Sequence, residues 1–167
     1  MVASAAVAAP TAAPAPAGFV EARALEPAAS DVAGKPATVW CAVNESAWKA
    51  ETRSRGLFGD PYGFAKPDGS EFSLNPKICT VLTRAVSGAV GAVDYPSLAP
   101  GIQTLTHESI HLHGVHDEGQ TDCEAIHEMP RIAVRYFHVK PGTQLRALMK
   151  AAWAWHRAQP PTYRSVC

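Results

Sequence analysis

Residues 105–125 read LTHESIHLHGVHDEGQTDCEA and gather four of the chain's seven histidines and five of its fifteen acidic residues. Within them, His107-Glu108-Ser109-Ile110-His111 fits the pattern HExxH. Residues four apart lie on one face of a helix, so His107 and His111 can reach one metal ion together. Glu108 follows the first histidine and can approach a water on that ion. A divalent metal lowers the water's pKa to about 7, and a carboxylate within reach takes its proton. Random ordering of this composition produces an HExxH in only about 1–2 % of chains, which disfavours a helix bearing two merely solvated histidines.

A catalytic zinc takes three protein ligands and leaves one position to water. Gly114 can turn the chain after His111. If the next helix packs antiparallel, His111 faces Glu118 and His107 faces Asp122. The expected ligands are therefore His107, His111 and Glu118, with Asp122 behind a ligand imidazole to orient it. A rival pattern is also satisfied: HExxHxxGxxD makes Asp117 the third ligand and asks for a methionine beneath the metal, where Met129 is the candidate. Asp122 itself and His116 stay open as further alternatives.

These residues need elements to hold them. TVWCAV (38–43) is short, apolar and β-branched, a strand. Asn44 then caps a short helix, ESAWKAETR, that breaks at Gly56. GFA and EFSL flank the turn PDGS and read as a small hairpin. Asn75-Pro76 is a helix start, and KICTVLTRAV carries apolar residues at helical spacing up to Gly88. A loop over 88–100 leads to the HExxH helix, expected from about Gly101 to Gly114, where a left-handed glycine ends it. A further helix runs from Asp117 past Met129, with Pro130 as a candidate kink. A last helix, QLRALMKAAWAWHRAQ, opens at Gly142 or Thr143 and closes at Pro160-Pro161. The fold class is mostly α with a small antiparallel β element (α+β), built around the HExxH helix.

The chain has 167 residues and 47 % hydrophobic content, enough for one domain with a core. Fifteen basic and fifteen acidic residues cancel, so no basic field points to nucleic acid. No apolar run reaches the roughly 20 residues that span a bilayer. Residues 1–34 are rich in Ala and Pro and read as a flexible leader, with Ala-x-Ala steps like the end of a secretory signal; residues 35–167 form the single domain. Four cysteines without a CxxC pair suit two disulfides better than a cysteine zinc cluster. Spacing does not choose among the three pairings; Cys41 with Cys79 and Cys123 with Cys167 is the one expected. Leader and cysteines together favour a secreted or cell-envelope location.

THESIHLHGVHDEGQTDC resembles the active-site segment of zincin metallopeptidases, and Glu118-x-x-x-Asp122 is similar to the glutamate-helix motif of their gluzincin branch. The zincin likeness covers about 20 residues, with a shorter gap between His111 and Glu118 than gluzincins have. From Val39 onward the layout also resembles a group of small actinobacterial HExxH proteins: a cysteine after the first strand, the Cys79 helix, HExxHxxG followed by DE and a cysteine, and a terminal PPTYRSVC. The resemblance implies a minimal zincin-like helical core holding zinc and a hydrolase that cuts a peptide or protein substrate, with Glu108 as general base. It also implies an extended peptide beside EFSL if that strand is an edge. The competing classes are a non-catalytic, zinc-stabilised interaction domain and a metal-independent helical domain. Among the other residues, His113 and His116 read as exposed turn histidines, and His127, His138 and His156 as surface or helix-packing ones. Trp48, Trp153 and Trp155 read as core or lid aromatics. Tyr136 and Tyr163 are candidates to hydrogen-bond a tetrahedral intermediate.

Overall fold

Short polar side chains set where the helices begin. The Asn44, Asn75, Asp94 and Asp117 carboxyl or amide oxygens each accept from the backbone amide three residues on, at 2.7–2.9 Å. Each satisfies a donor that a helix start would otherwise leave unpaired. The computed structural model describes residues 15–57, 59, 61–89, 94–164 and 167. In chain order the elements are β1 (Phe19–Glu21), α1 (Glu26–Ala33), β2 (Thr38–Ala42), α2 (Glu45–Ser54), β3 (Gly63–Ala65) and β4 (Glu71–Leu74). They are followed by α3 (Pro76–Val86), α4 (Tyr95–His113), α5 (Glu118–Tyr136), α6 (Thr143–Ala158) and a 3-10 turn, Pro161–Tyr163. Mostly α with a small sheet is therefore the observed class.

The sheet has the order β1-β2-β4-β3. The expected hairpin is present, with β3 antiparallel to β4 and Phe64 opposite Ser73. The sheet as a whole is mixed: β2 and β4 run parallel, Val39 opposite Phe72. Val39, Trp40, Cys41 and Ala42 are all buried, as befits a central strand covered on both faces. EFSL is β4, inside the sheet, so it is not an edge. The edge beside the HExxH helix is β3.

A flexible leader reaching Gly34 is not what the chain forms between residues 19 and 34. Phe19–Glu21 pairs with β2, and Glu26–Ala33 is helical, with Pro27 in its first turn and Gly34 left-handed (φ 66°) at its end. Leu25, Ala28, Ala29 and Ala33 are in the core. Composition misleads here because small alanines let α1 approach α4 closely instead of supplying bulk of their own. Residues 1–14, where the signal-like steps lie, fall outside the described residues.

The HExxH helix also starts earlier than expected, at Tyr95, because Asp94 caps it and Pro96 suits its first turn. Pro100 is absorbed in the second turn. Gly101 is not a start but a contact: a Cβ there would lie 3.2 Å from Leu82 Cδ2 of α3. From Leu98 to Leu112 α4 is buried almost without interruption, with α1, α3, α5, α6 and the sheet around it. Two disulfides, Cys41–Cys79 and Cys123–Cys167, have the expected pairing and join β2 to α3 and α5 to the terminal residue. Among the described residues no helix is long and apolar enough to cross a membrane.

Candidate metal centre

Helix α4 presents Gln103, His107 and His111 at successive four-residue steps, one stripe of its surface. Gly114 ends the helix with φ 106°, and its amide donates to the His111 carbonyl (3.0 Å). Asp117 then starts α5, which returns alongside α4 and brings Glu118 to the histidines. His107 Nε2 lies 3.0 Å from Glu118 Oε2, His111 Nε2 lies 3.1 Å from His107 Nε2, and His111 Nε2 lies 3.5 Å from Glu118 Oε2. Zinc bonds of about 2.0–2.1 Å at tetrahedral angles place ligand atoms about 3.3–3.4 Å apart. The three separations bracket that spacing, so the donor set fits a zinc-sized ion.

The protons of the two imidazoles also favour a cation between them. His111 Nδ1 lies 2.7 Å from the Val115 carbonyl, which can only accept, so Nδ1 carries the proton and a neutral ring turns a bare Nε2 inward. His107 Nδ1 faces Asp122 Oδ1 at 3.5 Å, which favours the same tautomer. Two lone pairs and a carboxylate then converge, an arrangement that only a proton or a cation reconciles. With a proton in that role, burial opposes the charge on His107, yet Asp122 and Glu118 hold its pKa at about 10. Hydrogen bonds from His107 and His111 hold Glu118 down at about 2. Burial also opposes charge on His111, but Glu118 and the Val115 carbonyl raise its pKa.

Glu108 is buried beside this triad and is not part of it. Burial raises its pKa to about 7, against the pull of His107 and His111. Its carboxylate also takes a backbone hydrogen bond from Ala65 of β3. Asp122 is buried behind His107, as expected. Its Oδ1 accepts from Gln103 Nε2 (2.8 Å), and its Oδ2 lies 2.5 Å from His156 Nδ1. Burial pushes its pKa up, but His107, Gln103 and His156 together bring it below the ordinary aspartate value.

No family model, curated protein or solved structure matches the chain.

The rival ligands lie elsewhere. Asp117 is exposed and occupied as the α5 cap, His116 meets Asp68 at 3.2 Å on the rim, and Met129 is buried inside α5. Tyr136 is also away from the site, donating to Asp31 at 2.9 Å. Tyr163 is at it: the terminal 3-10 turn sets its ring 5.9 Å from that of His107. Burial and the nearby carboxylates raise the phenol's pKa. The triad opens into a cleft of about 490 Å³ whose apolar wall includes Leu57, Tyr62, Phe64 and Trp155. His127 stands exposed near the Cys123 and Cys167 sulfurs, which are joined to each other.

Sequence reasoning missed Gln103, His156 and Gly63. Gln103 had a signal, one turn ahead of His107 on the same stripe. His156 had none, since α6 brings it from 34 residues away, and its ring is buried and not at the surface. A Cβ on Gly63 would lie 2.8 Å from Glu108 Cγ and Oε1, so β3 approaches α4 only because that residue has no side chain.

Proposed function

We propose that the chain is a zinc-dependent metallopeptidase with His107, His111 and Glu118 as ligands and Glu108 as general base. The observation that carries this reading is the convergence of three donor atoms at tetrahedral spacing, with a further carboxylate, the buried Glu108, adjacent and outside the set. Zinc held there supplies Lewis acidity toward a water and a substrate carbonyl oxygen. Glu108 accepts the proton of the attacking water and returns it to the leaving amine. Its burial suits both steps, because a base whose pKa lies near the working pH gives protons as readily as it takes them. Tyr163 donates a hydrogen bond to the carbonyl oxygen as negative charge develops. The edge strand β3, which lines the cleft, offers its backbone to an extended peptide. Two disulfides suit an oxidising compartment, and we place the protein outside the cytosol.

Metal analysis and peptide hydrolysis together test this. The purified protein should carry close to one equivalent of zinc, and His111→Ala should lose it. Glu108→Gln should keep the zinc while hydrolysis falls by about 10²–10⁴-fold, the usual contribution of a general base. Zinc retained by His111→Ala rejects the site. Zinc bound by a wild type that cleaves nothing in a broad peptide library makes the protein a zinc-stabilised interaction domain instead.

A further inference from the structure

We propose that His156 is a positioning residue of the metal centre, holding Asp122 in the orientation that turns His107 Nε2 toward His111 and Glu118. The proposal rests on the metal-site reading above. Three helices meet at the Asp122 carboxylate: α4 brings Gln103 and His107 to Oδ1, and α6 brings His156 to Oδ2. His156 and Asp122 are each 5 % exposed, so no bulk water competes for either group.

The hydrogen inventory runs in one direction. An ionised carboxylate only accepts, so His156 Nδ1 is the donor at Oδ2 and Gln103 Nε2 the donor at Oδ1. With both oxygens fixed, the carboxylate cannot rotate about its own axis, and Oδ1 stays aimed at His107 Nδ1. A hydrogen on that nitrogen leaves Nε2 bare, which is the tautomer a metal requires. The His156 ring meets Trp153 only edge-on, with centroids 5.6 Å apart and an interplanar angle of 89°, so its orientation is set by the hydrogen bond to Asp122. Removing its N–H frees one end of Asp122 and leaves Gln103 alone to direct it.

A packing role and a positioning role predict different results. Zinc affinity of the full chain is measured by competition with a chromophoric chelator, and ligand geometry by the visible absorption of the cobalt(II)-substituted protein. His156→Phe fills the same space without a donor; it should weaken zinc by about 10–100-fold and alter the cobalt bands. His156→Asn places an N–H near the Nδ1 position and should recover most of the affinity, whereas His156→Gln places it too far out and should not. Trp153→Phe disturbs packing around the same ring and should leave zinc affinity and cobalt bands unchanged.

Should His156→Phe not fold, the Asn and Gln pair decides. His156→Phe within twofold of wild type with an unchanged cobalt spectrum overturns the proposal. So does a folded His156→Asn as weak as His156→Gln. A wild type that binds no zinc overturns the metal centre and this inference together. Zinc bound by the wild type, lost in His107→Ala and unaffected in His156→Phe, overturns this inference alone.

Discussion

Glu108 has the most constrained surroundings of the candidate catalytic groups. Its carboxylate is bounded on one side by His107 and His111 and on the other by the β3 backbone at Gly63. An added Cβ at position 63 would lie within 2.9 Å of Thr104 Cγ2 as well as 2.8 Å from Glu108, so either the strand or the base must move. Gly63→Ala should therefore keep zinc and lose at least about tenfold in kcat/KM, with a stability cost of about 1–3 kcal/mol from overpacking. Equal activity in the two proteins would show that Glu108 is not held by β3. The ligand stripe was legible in the sequence because four-residue spacing on a helix is local geometry. Glu118 was the expected third member because an antiparallel return after Gly114 faces it to His111, but the sequence left Asp117, Asp122 and His116 open beside it. His156 was not legible, and Tyr163 could not be told from Tyr136 as a candidate, since each reaches its place through tertiary packing that no local pattern encodes.

Elements with clear start signals were readable, and those without bulk were not. Asn44, Asn75 and Asp117 announced their helices, whereas the Ala-rich stretch before Gly34 announced nothing and still forms β1 and α1. Leu25 gives that stretch its anchor, fully buried in the main core. Leu25→Ala should cost about 2–5 kcal/mol of unfolding free energy in a denaturant titration, and deletion of residues 1–34 should abolish cooperative unfolding. A cooperatively folded deletion would restore the reading of this segment as a tether.

The helix α1 is also tied to α5 through Asp31, which accepts from Arg131 Nη1 (2.6 Å), Arg135 Nη1 (3.2 Å) and the Tyr136 hydroxyl (2.9 Å). Burial pushes the Asp31 pKa up more than any one partner pulls it down, but Tyr136, Arg131 and Arg135 together outweigh it and hold the group below its ordinary 3.8. A depressed folded pKa contributes stability above the unfolded value, lost as pH falls through the folded one. Asp31→Asn should therefore cost about 1 kcal/mol at neutral pH, given the solvent exposure of the arginines, and that difference should shrink below pH 3.8. A pH-independent difference would assign the effect to packing.

At the scale of the whole molecule the two disulfides do different work. They close loops of similar length, with sequence separations of 38 and 44, so chain entropy gives each about 2–4 kcal/mol. Their positions separate them. Cys41–Cys79 joins a central strand to α3 inside the core, away from the cleft. Cys123 follows Asp122 on α5, and its bond to Cys167 anchors the terminal segment whose 3-10 turn sets Tyr163 beside His107. Both cysteines of each bridge replaced by serine should lower the melting temperature. At a temperature where both variants are folded, loss of Cys41–Cys79 should leave kcat/KM near wild type. Loss of Cys123–Cys167 should lower it with zinc still bound, because α5 keeps Glu118 while the turn bearing Tyr163 is released. Tyr163→Phe should produce a comparable loss, about 10²–10³-fold if the phenol is a true oxyanion donor. The decisive comparison is the combined variant: if the bridge acts by holding Tyr163, removing it from Tyr163→Phe adds little, whereas multiplied losses would mean that the bridge and the phenol act independently.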